Sequence, residues 1–232
     1  FVPAESFKFS PFKQLLTRIT DGDNIFKGQS TFVIEMLELR TILKRANPFS
    51  LILHNADDSF ENYHSKYLNI PNCRKVYSQN VNTLDSRVEF LPIGIANHFW
   101  KWGDTKKVVD VILEDIEKTD LVYAHFQERD NRVKCYESVR REGIPIVGTM
   151  EYEDYLHKLK SYKYCVSPEG NGIDCYRTWE ALYMKTIPIC KRSILIEEFA
   201  KTFPIYIVDD WKDLDVKDLE KQYDSFSWDN WY

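Results

Sequence analysis

Short β-branched or aromatic runs alternate along the chain with stretches whose apolar residues recur at three- and four-residue intervals. The first pattern suits buried strands and the second amphipathic helices. Strands are predicted over 49–54, 75–79, 88–92, 121–126, 144–147, 162–167, 186–190 and 205–208. A helix over 35–46 places Met36, Leu39 and Leu43 on one face and stops at Asn47-Pro48, since the residue before proline is pushed out of the helical region. Further helices are predicted over 132–141, 151–160 and 175–185, the second aligning Tyr152, Tyr155, Leu156 and Leu159. Asp215 can cap a last one that buries Leu219, Tyr223 and Phe226. This alternation predicts an α/β chain with parallel sheets.

The strands fall into two groups, one before about residue 95 and one from Leu121 onward. Residues 98–118, with Trp100, Trp102 and a Gly103-Asp104 turn, read as a connector plus one helix. The expected organisation is a lobe over 1–97, that connector, a second lobe over 119–214, and a tail over 215–232 anchored across the lobes by Trp228 and Trp231. Two Rossmann-like lobes would face a cleft, because ligands of such sheets bind beyond the carboxyl ends of the strands. One continuous sheet is the competing arrangement.

Composition narrows the classes. The 232 residues carry 31 Lys and Arg against 36 Asp and Glu, a net charge of −5, which argues against a general nucleic-acid binder. No run approaches the ~18 uncharged apolar residues of a membrane span. The five cysteines lack CxxC spacing and sit in apolar surroundings, so free thiols are expected rather than a disulfide framework or a zinc site. The chain has no Asn-x-Ser/Thr sequon. Both features favour a cytoplasmic location, with a removed anchor for a Golgi-type location left open.

With only eight glycines, two of them stand within three residues, in Ser167-Pro168-Glu169-Gly170-Asn171-Gly172-Ile173-Asp174-Cys175-Tyr176-Arg177-Thr178-Trp179-Glu180. The segment reads as strand, tight turn and helix start, where backbone N–H groups and the helix dipole favour an anion. Arg177 in the first helical turn can grip a diphosphate with its forked donors. Glu180, three residues on, can accept hydrogen bonds from a vicinal diol. The alternative is an ordinary turn followed by a surface pair. The segment is neither a dinucleotide fingerprint nor a Walker A loop, for want of a third glycine and of Gly-Lys-Ser/Thr.

This stretch, followed by Thr186-Ile187-Pro188-Ile189, resembles the donor-site signature of exostosin-like glycosyltransferases of the family 47 type, with the GT-B fold. It is similar to the small stand-alone members of algae and large algal viruses, some of which transfer xylose. The resemblance covers about 121–210, and before that only Leu53-His54-Asn55-Ala56-Asp57 and Leu91-Pro92-Ile93-Gly94. It implies an inverting transfer from a UDP-sugar to a glycan, with no metal or other cofactor and no nucleic acid among the partners. Gly170, Asn171, Gly172, Arg177 and a second cation, Arg132, would hold diphosphate, and Glu180 the ribose. Ser167, Asp174 and Thr178 complete the implied donor site, and Lys191 and Arg192 are further candidates.

Inverting transfer needs a general base across the cleft. Asp57 is the first candidate, with Asp58 and His54 as alternatives, against plain turn chemistry for Asn55-Ala56-Asp57-Asp58. Trp100, Trp102 and Tyr77 are candidate platforms for sugar rings. Asp21-Gly22-Asp23 has the form that metal-dependent, GT-A-type transferases use, and is read as a turn; that enzyme class and a glycan-binding domain are the rival readings.

Overall fold

The computed structural model describes residues 48–229 except 55, 56, 58 and 61–64. The expected helix over 35–46, Asp21, Asp23, Asp58 and Trp231 lie outside the described residues.

The chain is an α/β structure of two parallel sheets. The first has the order β1 (Phe49–Leu53), β2 (Cys73–Ser78), β3 (Val88–Phe90), with the single-turn helix α1 (Ser65–Leu68) between β1 and β2. Its register pairs Leu51 with Val76 and Val76 with Val88. Phe60, Val76, Val81 and Val88 form its buried cluster. Residue 60 also bridges to Val81 in parallel, prolonging the sheet beyond β1 and β2.

Helix α2 (Thr105–Leu113) leads into the second sheet. Asp104 starts it, its carboxylate accepting the N–H groups of Lys106 and Lys107. The sheet has the order β4 (Asp120–Ala124), β5 (Tyr162–Val166), β6 (Ile187–Lys191), β7 (Tyr206–Val208). The connecting helices are α3 (Val133–Arg141), α4 (Tyr152–Lys160), α5 (Tyr176–Tyr183) and α6 (Ile194–Ala200), and α7 (Val216–Gln222) follows β7. Both faces are covered, as parallel sheets require. Val122, Ala124, Tyr164, Val166, Ile187 and Ile189 pack on one side with Val139 of α3 and Leu219 of α7. Tyr123 and Cys165, one residue out of phase, pack on the other with Leu156 and Leu159 of α4. The two-residue period of a strand produces this division.

The strand expected over 144–147 is reduced to one bridge, Ile146 beside Ala124, with the Val147 N–H donating to the Ala124 carbonyl at 2.8 Å. Pro145 has no N–H and interrupts the ladder. Lys118 ties the layers from below: its Nζ donates to the carbonyls of Lys160, Tyr162 and Met184 and to Thr186 Oγ1 at 2.7–3.3 Å. Among the described residues no helix is long and apolar enough to cross a membrane.

Candidate anion site

The carboxyl ends of β4 and β5 open towards one loop cluster. After β5 the Ser167 N–H donates to the Ile189 carbonyl, and the chain turns through Gly170-Asn171-Gly172 before α5 begins at Tyr176. Neither glycine of this turn has a positive φ. Gly172 is required for space, since a Cβ there would lie 2.4 Å from Asn80 Nδ2, whereas at Gly170 it would meet ordinary contacts at 3.7 Å or more. Asn80, itself at φ 48°, accepts the Asp174 N–H on Oδ1 at 2.8 Å and so seats the loop on the first sheet.

Three arginines converge here. Arg132 is 6% exposed; its Nε donates to the Glu169 carbonyl at 2.7 Å and NH1 to that of Gln127. Arg177 donates Nε to the His125 carbonyl at 3.0 Å and NH1 to that of Pro168. Arg129 donates to Asn171 Oδ1 at 2.8 Å, and Asn131 donates to the Gly170 carbonyl. Among the described residues none of the three arginines lies within ion-pairing distance of a carboxylate. Burial and the charges of Arg177 and Arg129 hold the Arg132 pKa below its usual range. An open depression of about 500 Å³ lies beside the cluster; of the three arginines only Arg129 lines it, with Asp130, Asn131, Gly170 and Asn171.

Other expected site residues take different places. Asp57, exposed after β1, accepts from Asn171 Nδ2 at 3.0 Å, which links it through Asn171 to Arg129. His54 is exposed at the end of β1. Ser167 and Thr178 are buried against each other, Oγ to Oγ1 at 2.9 Å. Glu180 is buried rather than open to a diol: its oxygens accept from Tyr152 at 3.1 Å and Tyr155 at 2.8 Å, and burial raises its pKa. Asp174 accepts from the Ile93 N–H at 2.6 Å and Trp179 Nε1 at 2.7 Å; burial, opposed by those bonds, pushes its pKa up to about 6. Arg192 is engaged by Asp209 and Glu197. Trp100 and Trp102 are exposed, whereas Tyr77 is half-buried within β2. All five cysteines are free, and no group of three or more metal-ligating side chains occurs among the described residues. Sequence reasoning passed over Asn80 and Arg129. Arg129-Asp130-Asn131-Arg132 was a visible signal, but nothing local marks Asn80.

Comparison with known proteins turns to the other end of the chain. The family MutS domain V matches residues 1–56. The mitochondrial DNA mismatch repair protein mutS homolog of Sarcophyton glaucum is 53% identical over 53 residues, 23% of this chain and 5% of that protein. DNA mismatch repair protein MSH3 of Saccharomyces cerevisiae is 51% identical over 53 residues, 23% of this chain and 5% of its own. The likeness is to mismatch-repair proteins. DNA mismatch repair protein MutS of Petrotoga mobilis is 27% identical over 161 residues, 69% of this chain and 15% of that protein. A match over 161 of the 232 residues necessarily takes in part of the α/β body. The chain spans 5% to 15% of the length of these relatives.

These matches overturn the exostosin-like expectation. The glycosyltransferase activity, the UDP-sugar and glycan partners, the GT-A-type and glycan-binding rivals, and the exclusion of nucleic acid are corrected together. The physical reasons are plain. A glycine turn with arginine at a helix start grips anions in general and does not specify sugar transfer. A net charge of −5 averages over the whole chain and does not describe a local patch. The family match also lies in the part that the resemblance covered least.

Proposed function

We propose that this chain joins a MutS domain V-type segment to an α/β body that binds a phosphate group, and that it serves DNA mismatch repair. The observation that carries the phosphate reading is the convergence of Arg129, Arg132 and Arg177 without an ion-paired carboxylate among the described residues. Arg132 is buried and Arg177 half-buried behind an exposed Arg129; a buried cation needs a counter-charge, and a phosphate offers several acceptors to forked guanidinium donors. The printed names of the relatives support the mismatch-repair setting. The division at 1–97, 98–118, 119–214 and 215–232 serves as its organisation, with the two sheets acting as lobes on either side of the depression. Binding by arginine needs no divalent ion, and the free thiols suit a reducing compartment.

Titration calorimetry on the full chain tests the site with pyrophosphate, ADP and a short mismatched duplex, each with and without EDTA. Expected is saturable binding of pyrophosphate, lost in Arg129→Ala/Arg132→Ala and retained in EDTA. ADP and the duplex then separate a free nucleotide from a nucleic-acid backbone as the source of the phosphate. Wild-type protein that binds none of the three sinks the proposal.

A further inference from the structure

The turn ahead of α2 bears three exposed aromatic side chains on a firmly held backbone. Phe99 is 82% exposed, Trp100 45% and Trp102 40%. The Trp100 N–H donates to the Asn97 carbonyl at 3.1 Å, the Gly103 N–H to the Trp100 carbonyl at 2.9 Å, and Asn97 Oδ1 accepts the Phe99 N–H at 3.1 Å. Gly103 lets the chain fold this tightly, since a Cβ there would lie 1.7 Å from the Asn97 oxygen. The Trp100 and Trp102 rings stack nearly parallel, 5.4 Å apart at 12°, and Phe99 meets Trp100 edge-on at 5.8 Å. Lys101 Nζ lies 6.0 Å from the Trp102 ring. Lys101 and Lys106 make no ion pair among the described residues, whereas Lys107 is paired with Glu153.

We infer that this turn is a stacking platform for single-stranded nucleic acid. Exposed aromatic area that packing could have buried marks an interaction surface. Lysine is depleted from the cores of protein interfaces, which argues against an apolar protein partner for a turn with Lys101 between its two indoles. Indole faces with unpaired lysines beside them match bases and phosphates, and only an unpaired strand offers its base faces. The inference rests on the nucleic-acid side of the function proposed above, but on a different surface.

Fluorescence anisotropy on the full chain tests it with a labelled twenty-nucleotide oligo-dT, the corresponding duplex, and an abasic oligomer of equal length. Oligo-dT is expected to bind more tightly than either comparator. Trp100→Ala/Trp102→Ala should weaken it about tenfold or more, while pyrophosphate binding stays unchanged. No binding of oligo-dT, equal binding of the abasic oligomer, or equal binding by the double variant overturns the inference. So does sedimentation showing that the turn pairs two copies of the chain, with the double variant separating them. Loss of pyrophosphate binding in Arg129→Ala/Arg132→Ala with oligo-dT binding intact leaves both readings standing. Oligo-dT binding by a wild-type chain that takes neither pyrophosphate, ADP nor the mismatched duplex removes only the phosphate site.

Discussion

The two sheets share parallel pairing but are secured differently. The second is packed on both faces, with Tyr164, Ile187 and Ile189 on one side and Tyr123, Leu156 and Leu159 on the other, all fully buried. The first is shorter and rests on a small cluster around Phe60 and Val76. It gains order by docking: Asn80 receives the Asp174 N–H, and the Ile93 N–H reaches the Asp174 carboxylate. The second sheet therefore contributes most of the apolar burial, and the first is positioned both by polar contacts with the 170–174 loop and by Phe90 and Ile93, which pack against the cluster of Trp179, Leu182 and Phe199. The proposed phosphate site and the sheet docking share one segment, 170–174.

Three measurements press on this contrast. The largest effect is expected from Leu156→Ala, which empties a fully buried position under the second sheet; it should cost about 2–5 kcal/mol. Denaturant unfolding checks it, and a smaller loss than that of Val76→Ala in the first sheet reverses the comparison.

Asp174 comes next. Its pKa of about 6 in the folded chain stands above the ordinary 3.8, so between these values the folded state binds more protons than the unfolded one. Its contribution to stability accordingly rises as pH falls through about 6 towards 4, by roughly 3 kcal/mol at ~1.4 kcal/mol per unit. The stability of Asp174→Asn relative to wild type, followed from pH 7 to 4, should fall by that order. A constant difference contradicts the assignment.

The smallest effect is expected from Gly172→Ala, which forces the Asn80 side chain aside. It should cost about 1–3 kcal/mol, and Asn80→Gly in the same chain should recover part of it. Hydrogen exchange locates the loss: it should appear in β1–β3 and spare β5 and β6. Uniform loss means that the sheets unfold as one unit.

The elements were largely legible because a strand in a parallel sheet carries its own signal. Tyr162-Lys163-Tyr164-Cys165-Val166 is β-prone by composition, and Tyr152, Tyr155, Leu156 and Leu159 repeat at helical spacing whatever they pack on. The segment at 144–147 misled because Ile-Pro-Ile-Val is apolar like a strand, while its proline cannot pair like one. For the site, Arg132, Arg177 and the Gly170–Gly172 turn stood out locally, but the roles of their neighbours did not. Glu180 looked available at i+3 from Arg177 and instead meets two tyrosines from α4. The likeness of residues 1–56 to MutS domain V was present in the sequence and passed unread, because short motifs elsewhere drew the functional reading.

By itself the sequence determined where most strands and helices lie and that Arg132 and Arg177 each follow a predicted strand. Only the tertiary structure decided which of those arginines meet, that Asn80 and Asp57 of the first sheet reach the Gly170–Gly172 loop, and that Glu180 is enclosed. Periodicity is a property of neighbouring residues and survives in one dimension. Counter-charge, burial and close approach depend on residues 40 to over 110 positions apart, such as Arg129, Asp57 and Asn171, which only folding brings together.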